Sequence, residues 1–278
     1  MKKHVSFKIG GPADILIIPD KVSQVKNLIN YFKANDIPYI TIGNGSNLLV
    51  NDDGIRKAVL KIGNEMESIE LADENQIIAS AGTSLFKLSY FAMQNSLSGI
   101  EFLWGIPGNV GGAVFMNAGA YGGEIKDVIV SSRYIDLDGN EGMFTQDEMM
   151  LEYRSSIYHN NNYIIISAKF KLEKGCSIQI KNKMDELMQK RKQKQPLQYP
   201  NAGSVFKRPE GNYVGSLIEK AGLKGFSIGG AQVSEKHAGF IVNKDNATAK
   251  DVLDLINYIQ KQVYAKTGYN LKTEIKII

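Results

Sequence analysis

The chain has 278 residues, 43% hydrophobic and 22% charged, with a net charge of +4, which suits a globular protein of two or three compact units. Its single cysteine, Cys176, excludes an internal disulfide and a cysteine-cluster metal site, and fits a reducing compartment. No apolar run reaches membrane-spanning length, and Met1-Lys2-Lys3-His4 leads into no signal-type segment, so a cytoplasmic protein without membrane insertion is expected.

In chain order, the start reads strand, helix, strand. Ile15-Leu16-Ile17-Ile18 is an apolar run stopped by Pro19, and Asp20 is placed to cap a helix striped by Val22, Val25, Leu28, Ile29 and Phe32. A second strand, Tyr39 to Ile42, follows Pro38, and a unit of this kind makes a right-handed crossover in a parallel sheet. Gly43-Asn44-Gly45-Ser46-Asn47 then leads into Leu48-Leu49-Val50. The third glycine of a dinucleotide fingerprint is missing, and a strand follows where a helix should open. What remains is a tight strand–turn–strand that either offers donors to a pyrophosphate or is an ordinary hairpin. No Gly-Lys pair occurs, so a Walker A loop is absent.

Short β-runs occupy residues 57–81. Gly82-Thr83-Ser84 starts a helix with Leu85, Leu88, Phe91 and Ala92 on one face. It leads into the stretch from Gly105 to Glu124, where seven of twenty residues are glycine and a single residue is acidic. Glycine lets a backbone come close to a ligand, and free N–H groups suit an anion. The interleaved Val, Phe, Met and Tyr argue against a flexible linker. Further on, Val128 to Asp136 and Tyr163 to Leu172 read as strands, with a hairpin turn at Asp138-Gly139. Basic residues cluster between Lys181 and Arg208, and Ile180 to Gln193 reads as a basic helix with a solvated face, without the interleaved aromatics of a nucleic-acid binder. Val214 to Lys220 is a short helix closed by Gly222. Thr248 with Asp251 is a capping pair for a final helix striped by Val252, Leu255, Ile256, Ile259 and Val263, and Leu271 to Ile278 reads as a strand.

Three polar positions stand apart. Arg154 lies in the turn Tyr153-Arg154-Ser155-Ser156, Ser204 precedes Val205-Phe206, and Glu274 sits in the terminal strand beside Lys272 and Lys276. Together an arginine, a hydroxyl and a carboxylate can polarise a substrate carboxylate and deliver a proton. Pattern alone favours blander roles: a surface residue, a turn cap and a solvent-facing strand position. His4, His159 and His237 form no metal-ligand spacing, so no metal is expected. Ser204 lacks the G-x-S-x-G context of a nucleophile elbow, and Cys176 reads as a core thiol at a strand edge.

Six motifs run nearly end to end: Ser6 to Ala13, Gly43 to Val50, Gly105 to Glu124, Tyr153 to Ser156, Asn201 to Ser204, and Thr273-Glu274. In this order they resemble the UDP-N-acetylenolpyruvoylglucosamine reductases, also called UDP-N-acetylmuramate dehydrogenases, of peptidoglycan synthesis. The resemblance implies an α+β (mixed α/β) fold. Residues 1–54 and 55–175 would form a two-part FAD-binding unit of the vanillyl-alcohol-oxidase type, and residues 176–278 an α+β substrate domain. The flavin pyrophosphate would lie on Gly43, Asn44, Gly45, Ser46, Asn47 and Leu48. On the other side it would meet Gly105, Pro107, Gly108, Asn109, Gly111, Gly112, Ala113, Asn117, Ala118 and Gly119, with Gly82 nearby. No His or Cys occurs in either loop, so the FAD is expected to be non-covalent.

The implied reaction has two halves. NADPH, the co-substrate, reduces FAD, and hydride then passes to the enolpyruvyl methylene carbon of UDP-N-acetylglucosamine enolpyruvate. By motif position Ser204 donates the proton, while Arg154 and Glu274 stabilise the enol-like carboxylate. Tyr153, Arg208 and Lys192 are the implied substrate contacts. The short stretch between Gly222 and Phe240 matches the family's lid-less form. The family's usual N-terminal extension is expected to precede the first residue here. A monomer is expected. The rival readings are an FAD-dependent oxidase on the same cofactor fold and a non-catalytic nucleotide-sugar-binding protein.

Overall fold

Short apolar runs broken by Gly, Pro and Asn become short strands, and the striped runs become helices. The computed structural model describes residues 1–278. The chain begins with β1 (Ala13–Ile17), α1 (Val22–Ala34), β2 (Tyr39–Ile42), β3 (Leu48–Leu49) and β4 (Ile55–Lys61). Next come β5 (Ile69–Asp73), β6 (Gln76–Ser80), α2 (Leu85–Gln94), β7 (Leu97–Ser98), α3 (Val110–Phe115), β8 (Gly119–Ala120) and β9 (Gly123–Glu124). β10 (Ile129–Ile135), β11 (Glu141–Thr145), β12 (Ile164–Lys171), β13 (Glu173–Lys174) and α4 (Ser177–Lys194) follow. The last section holds β14 (Asn201–Ser204), α5 (Val214–Lys220), β15 (Ser227–Ile228), β16 (Ala231–Val233), β17 (Phe240–Asn243), α6 (Ala249–Thr267) and β18 (Lys276–Ile277). Two compact units result, one from Ile15–Asn44 and Lys57–Lys190, the other from Met1–Asp14, Gly45–Arg56 and Arg191–Ile278.

In the larger unit β4 runs parallel to β2 from the Tyr39↔Ala58 pair to Ile42↔Lys61. An antiparallel sheet of order β11-β10-β12-β6-β5 lies beyond it in sequence. Val25 and Ile29 from α1, Leu85 and Leu88 from α2, and Ile77 and Phe170 from the sheet share one buried core. Each such side chain contributes roughly 1.5–3 kcal/mol on full burial. The Asp136–Asn140 connection is held by Asp136 Oδ1, which accepts the N–H groups of Asp138 and Asn140 at 2.8 Å each. Gly139 there adopts φ +78°, so the predicted hairpin forms for the predicted reason.

The smaller unit has a sheet of order β14-β17-β16-β15, with α6 packed on β15 and β16 and α5 packed on α6. Its core joins Phe7 and Leu49 to Phe206, Ile218, Val252, Leu255 and Ile259. The predicted capping box of α6 is present, with Asp251 N–H donating to Thr248 Oγ1 at 3.0 Å. Asp52 adds a cap that the sequence did not signal, accepting the N–H groups of Ala249 and Lys250 at 2.8 and 3.0 Å.

Several expectations change. Asp20 does not cap α1; Lys21 is the N-cap residue, and Asp20 instead donates its N–H to Gln24 Oε1. β4 lies between β1 and β2, so the opening strands are not neighbours. The Gly43–Asn47 turn is no hairpin, because β2 pairs with β4 while β3 pairs in parallel with β18. The terminal strand is shorter than its apolar pattern: Lys276–Ile277 alone pair with β3, and Thr273 bridges to Phe206. Cys176 is exposed, not buried, and directly precedes α4.

Candidate active site

The glycine stretch folds back on the end of β6. Val110 N–H donates to Thr83 O and Gly111 N–H to Ala81 O, both at 2.9 Å. A Cβ at Gly111 would stand 2.9 Å from Ala81 Cβ, and one at Gly82 would lie 2.0 Å from Gly63 O. These two glycines serve the chain's own packing. Gly43 and Gly112 do not, since a Cβ at either meets nothing within 4 Å and neither needs a positive φ. Bare backbone facing open space at both places is a cradle that a Cβ would fill, and it fits an approaching pyrophosphate. Asn109 is different: its side chain is buried and turned inward, with Nδ2 donating to Ile62 O at 3.4 Å.

Arg154 is brought to the far end of this loop. Glu152 and Ser155 exchange N–H···O bonds of 3.1 Å, leaving Tyr153 and Arg154 at the tip. The tip turns because Arg154 takes φ +54°, an uncommon conformation for a side-chain-bearing residue. Its guanidinium donates through Nη2 to Gly119 O at 3.0 Å and lies 5.0 Å from the centroid of the exposed Tyr153 ring. The turn is fastened at its base, where Ser156 Oγ donates to Phe115 O at 2.7 Å.

Ser204 and Glu274 lie on paired segments of the smaller unit. Ser204 pairs with Phe240 across β14 and β17, after an irregular step at Gly203, which has φ +82°. Val205 follows, its N–H donating to Gly239 O at 3.0 Å and its carbonyl accepting Glu274 N–H at 2.8 Å. The two predicted site residues therefore flank one clamped peptide. Ser204 is half-buried, and its hydroxyl donates to Phe206 O at 3.2 Å. Asn47 Nδ2 reaches the carbonyl of Glu274 at 3.2 Å, tying the Gly45–Leu48 segment to the same place.

Arg208 is exposed and stacks over Tyr213, 3.9 Å from the ring centroid. Lys192 is exposed on α4, and its carbonyl accepts from Lys236 Nζ. The basic helix carries Lys181–Asp185 and Lys190–Glu186 pairs, the mark of a solvated face. Arg154 lies in one compact unit and Ser204, Glu274, Arg208 and Lys192 in the other.

His237 was excluded as a metal ligand by spacing, yet it belongs to this neighbourhood. Its Nδ1 accepts the N–H of Gly239 at 3.1 Å, and a Cβ on Gly239 would lie 3.0 Å from His237 Cε1 and 3.7 Å from Ser204 Oγ. Burial holds its pKa below the usual histidine value, which favours the neutral ring with the proton on Nε2. The only sequence signal was its place three residues before Phe240-Ile241-Val242, which gave no hint that β17 pairs with Ser204.

A family profile described as the UDP-N-acetylenolpyruvoylglucosamine reductase C-terminal domain matches residues 195–278, and one described as an FAD binding domain matches residues 13–141. The UDP-N-acetylenolpyruvoylglucosamine reductase of Clostridium novyi is 50% identical over all 278 residues, covering 90% of that relative. This chain belongs to that reductase family. The reductase of Caldanaerobacter subterraneus is 51% identical over the full chain and 91% of its own length. The crystal structure of the Thermus caldophilus reductase superposes with a TM-score of 0.86 at 35% identity, covering 99% of this chain and 96% of the other. The chain is thus an FAD-dependent oxidoreductase of the reductase family, with the mixed α+β fold expected of it. No helix is long and apolar enough to cross a membrane.

Proposed function

We propose that the chain reduces the enolpyruvyl ether of UDP-N-acetylglucosamine to UDP-N-acetylmuramate with electrons from NADPH, acting as a cytoplasmic monomer. The reading is supported above all by the 50% identity to the reductases over the full chain, together with the backbone bond from Glu274 N–H to the carbonyl of Val205, the residue after Ser204. FAD, when bound, supplies the hydride. Gly43 and Gly112, both in the larger unit of Ile15–Asn44 and Lys57–Lys190, admit it by leaving backbone uncovered, so the expected boundaries at 54 and 175 give way to that division. The smaller unit, which takes Arg191–Ile278 of the expected 176–278 domain, carries the substrate.

Ser204 Oγ gives its proton to the substrate carbon that bears the carboxylate, after hydride has reached the neighbouring methylene. A serine hydroxyl is a weak acid, so the proton moves only if the carbon's developing charge is met by fixed groups. By motif position Arg154, as a cation, and Glu274, as a protonated acid donating a hydrogen bond, are assigned to that charge on the substrate carboxylate, and solvent restores the serine proton. Phe206 O orients the hydroxyl beforehand by accepting its hydrogen bond. Arg208, stacked on Tyr213, and Lys192 are the cationic partners for the diphosphate, and Tyr153 contacts the substrate beside Arg154. The β15–β16 hairpin is all that the Gly222–Phe240 stretch contains by way of strands, which suits the lid-less form.

The test is anaerobic. NADPH should bleach the flavin band of the purified protein, and the enolpyruvyl substrate alone should restore it. Ser204→Ala should keep the bleaching and lose the recovery. Recovery only on admitting oxygen would replace this reading with an oxidase, and absence of any flavin band after added FAD would leave a binding protein. Light scattering at a single-chain mass checks the monomer.

A further inference from the structure

Asn117 is a fully buried polar residue inside the glycine loop, held at φ +40°. Its side chain has two N–H groups and one carbonyl oxygen to satisfy. Nδ2 donates to Glu124 Oε2 at 2.8 Å and to Glu152 O at 3.0 Å, while Oδ1 accepts the N–H of Lys126 at 2.9 Å. Both donors and the acceptor are therefore committed inside the protein. The partners lie on two sides. Glu124 and Lys126 belong to the loop's return arm, and Glu152 opens the turn whose tip is Arg154.

We infer that Asn117 is a positioning residue for Arg154. This rests on the role proposed for Arg154 above. The amide locks Glu152 O at one end of the turn, and Ser156 Oγ locks the other end onto Phe115 O. Between the two locks, Arg154 is forced back over the loop, where Gly119 O accepts from Nη2 at 3.0 Å and Asn117 O stands 3.5 Å from Nη1. The residue that anchors the turn thus also presents a carbonyl to the guanidinium. A left-handed φ at both Asn117 and Arg154 is strained and persists only where surrounding bonds hold it. Asparagine tolerates that conformation better than most residues and brings the needed amide, which is why this position calls for it.

The experiment is a double-mutant cycle on the rate at which substrate reoxidises the reduced flavin, expressed relative to NADPH-driven reduction in the same protein. Asn117→Ala should slow reoxidation about tenfold to hundredfold, the cost of misplacing a catalytic group by a fraction of an ångström to one ångström. In an Arg154→Ala background the same change should cost no further factor, because it acts through the guanidinium. Multiplying effects would overturn the inference. Wild-type rates in Asn117→Ala with slow rates in Arg154→Ala would also overturn it, while leaving the proposed function intact. Wild-type rates in Arg154→Ala would instead sink the role of Arg154 itself.

A readout without cofactor accompanies the kinetics. In proton–nitrogen NMR of the apoprotein, the Arg154 side-chain N–H signals should be resolved in the parent and collapse into the averaged arginine envelope in Asn117→Ala. If Asn117→Ala does not fold, Ser156→Ala removes the other lock and should show the same non-additivity. Unchanged rates and unchanged Arg154 signals in Ser156→Ala would then count against the inference.

Discussion

Changing Gly112 to alanine separates what the chain needs for itself from what it keeps open for a ligand. Gly112 is exposed within α3, and a Cβ there meets nothing within 4 Å. A helical Gly→Ala exchange should raise stability of the apoprotein by up to about 1 kcal/mol, mainly by restricting the unfolded chain. The same methyl would stand in the open space proposed above for the flavin pyrophosphate. Overpacking costs about 1–3 kcal/mol, which is roughly a five- to 150-fold rise in the Kd for FAD. Gly111→Ala is the opposite case, since its Cβ would lie 2.9 Å from Ala81 Cβ. It should destabilise the apoprotein by about 1–3 kcal/mol. Urea unfolding of the apoproteins measures the first effect and flavin-fluorescence titration the second. If Gly112→Ala binds FAD as tightly as the parent, the open backbone is not the cofactor cradle and the reasoning fails.

Three further outcomes are expected. Asp52→Ala removes both acceptors for the first N–H groups of the 19-residue α6 and should lower unfolding free energy by about 1–2 kcal/mol in urea; an unchanged midpoint would show the cap to be idle. Cys176 accepts the N–H groups of Gln179 and Ile178 at the start of α4, which lower its pKa, so the native protein should react with a thiol reagent faster than free cysteine at pH 7. One fast equivalent per chain is the expected count, and a thiol that reacts only after unfolding would contradict its exposure. His237 has a folded pKa below its unfolded value, so its contribution to stability is complete above about pH 6.5 and is lost as pH falls toward the folded pKa. The urea midpoint of the parent should fall more steeply than that of His237→Gln between about pH 6.5 and 5, and parallel curves would refute the assignment.

Local chemistry was legible where one short segment decides the outcome. Asp138-Gly139 makes its turn, Ser84 and Thr248 cap their helices, and Val252, Leu255, Ile256, Ile259 and Val263 bury the predicted stripe. These depend on hydrogen bonds and side-chain periodicity within a few residues, which sequence records directly. The glycine loop was also legible as a whole, because a run so poor in charge and so rich in glycine has few other uses.

Pairing between distant segments was not legible. The apolar run ending at Ile278 reads as one strand, but its residues divide between Phe206 and β3, because the chain crosses from one partner to another. Asp52 caps α6 across nearly two hundred positions, and no spacing rule reaches that far. Pattern favoured bland roles for Ser204 and Glu274; the bond from Glu274 N–H to Val205 O and the Phe206–Thr273 bridge bring their segments together. The sequence determined which residues could carry this chemistry, through motifs that identify the family. Tertiary structure decided which of their segments pair, since a strand's partner depends on the packing of everything between, and not on the strand's own residues.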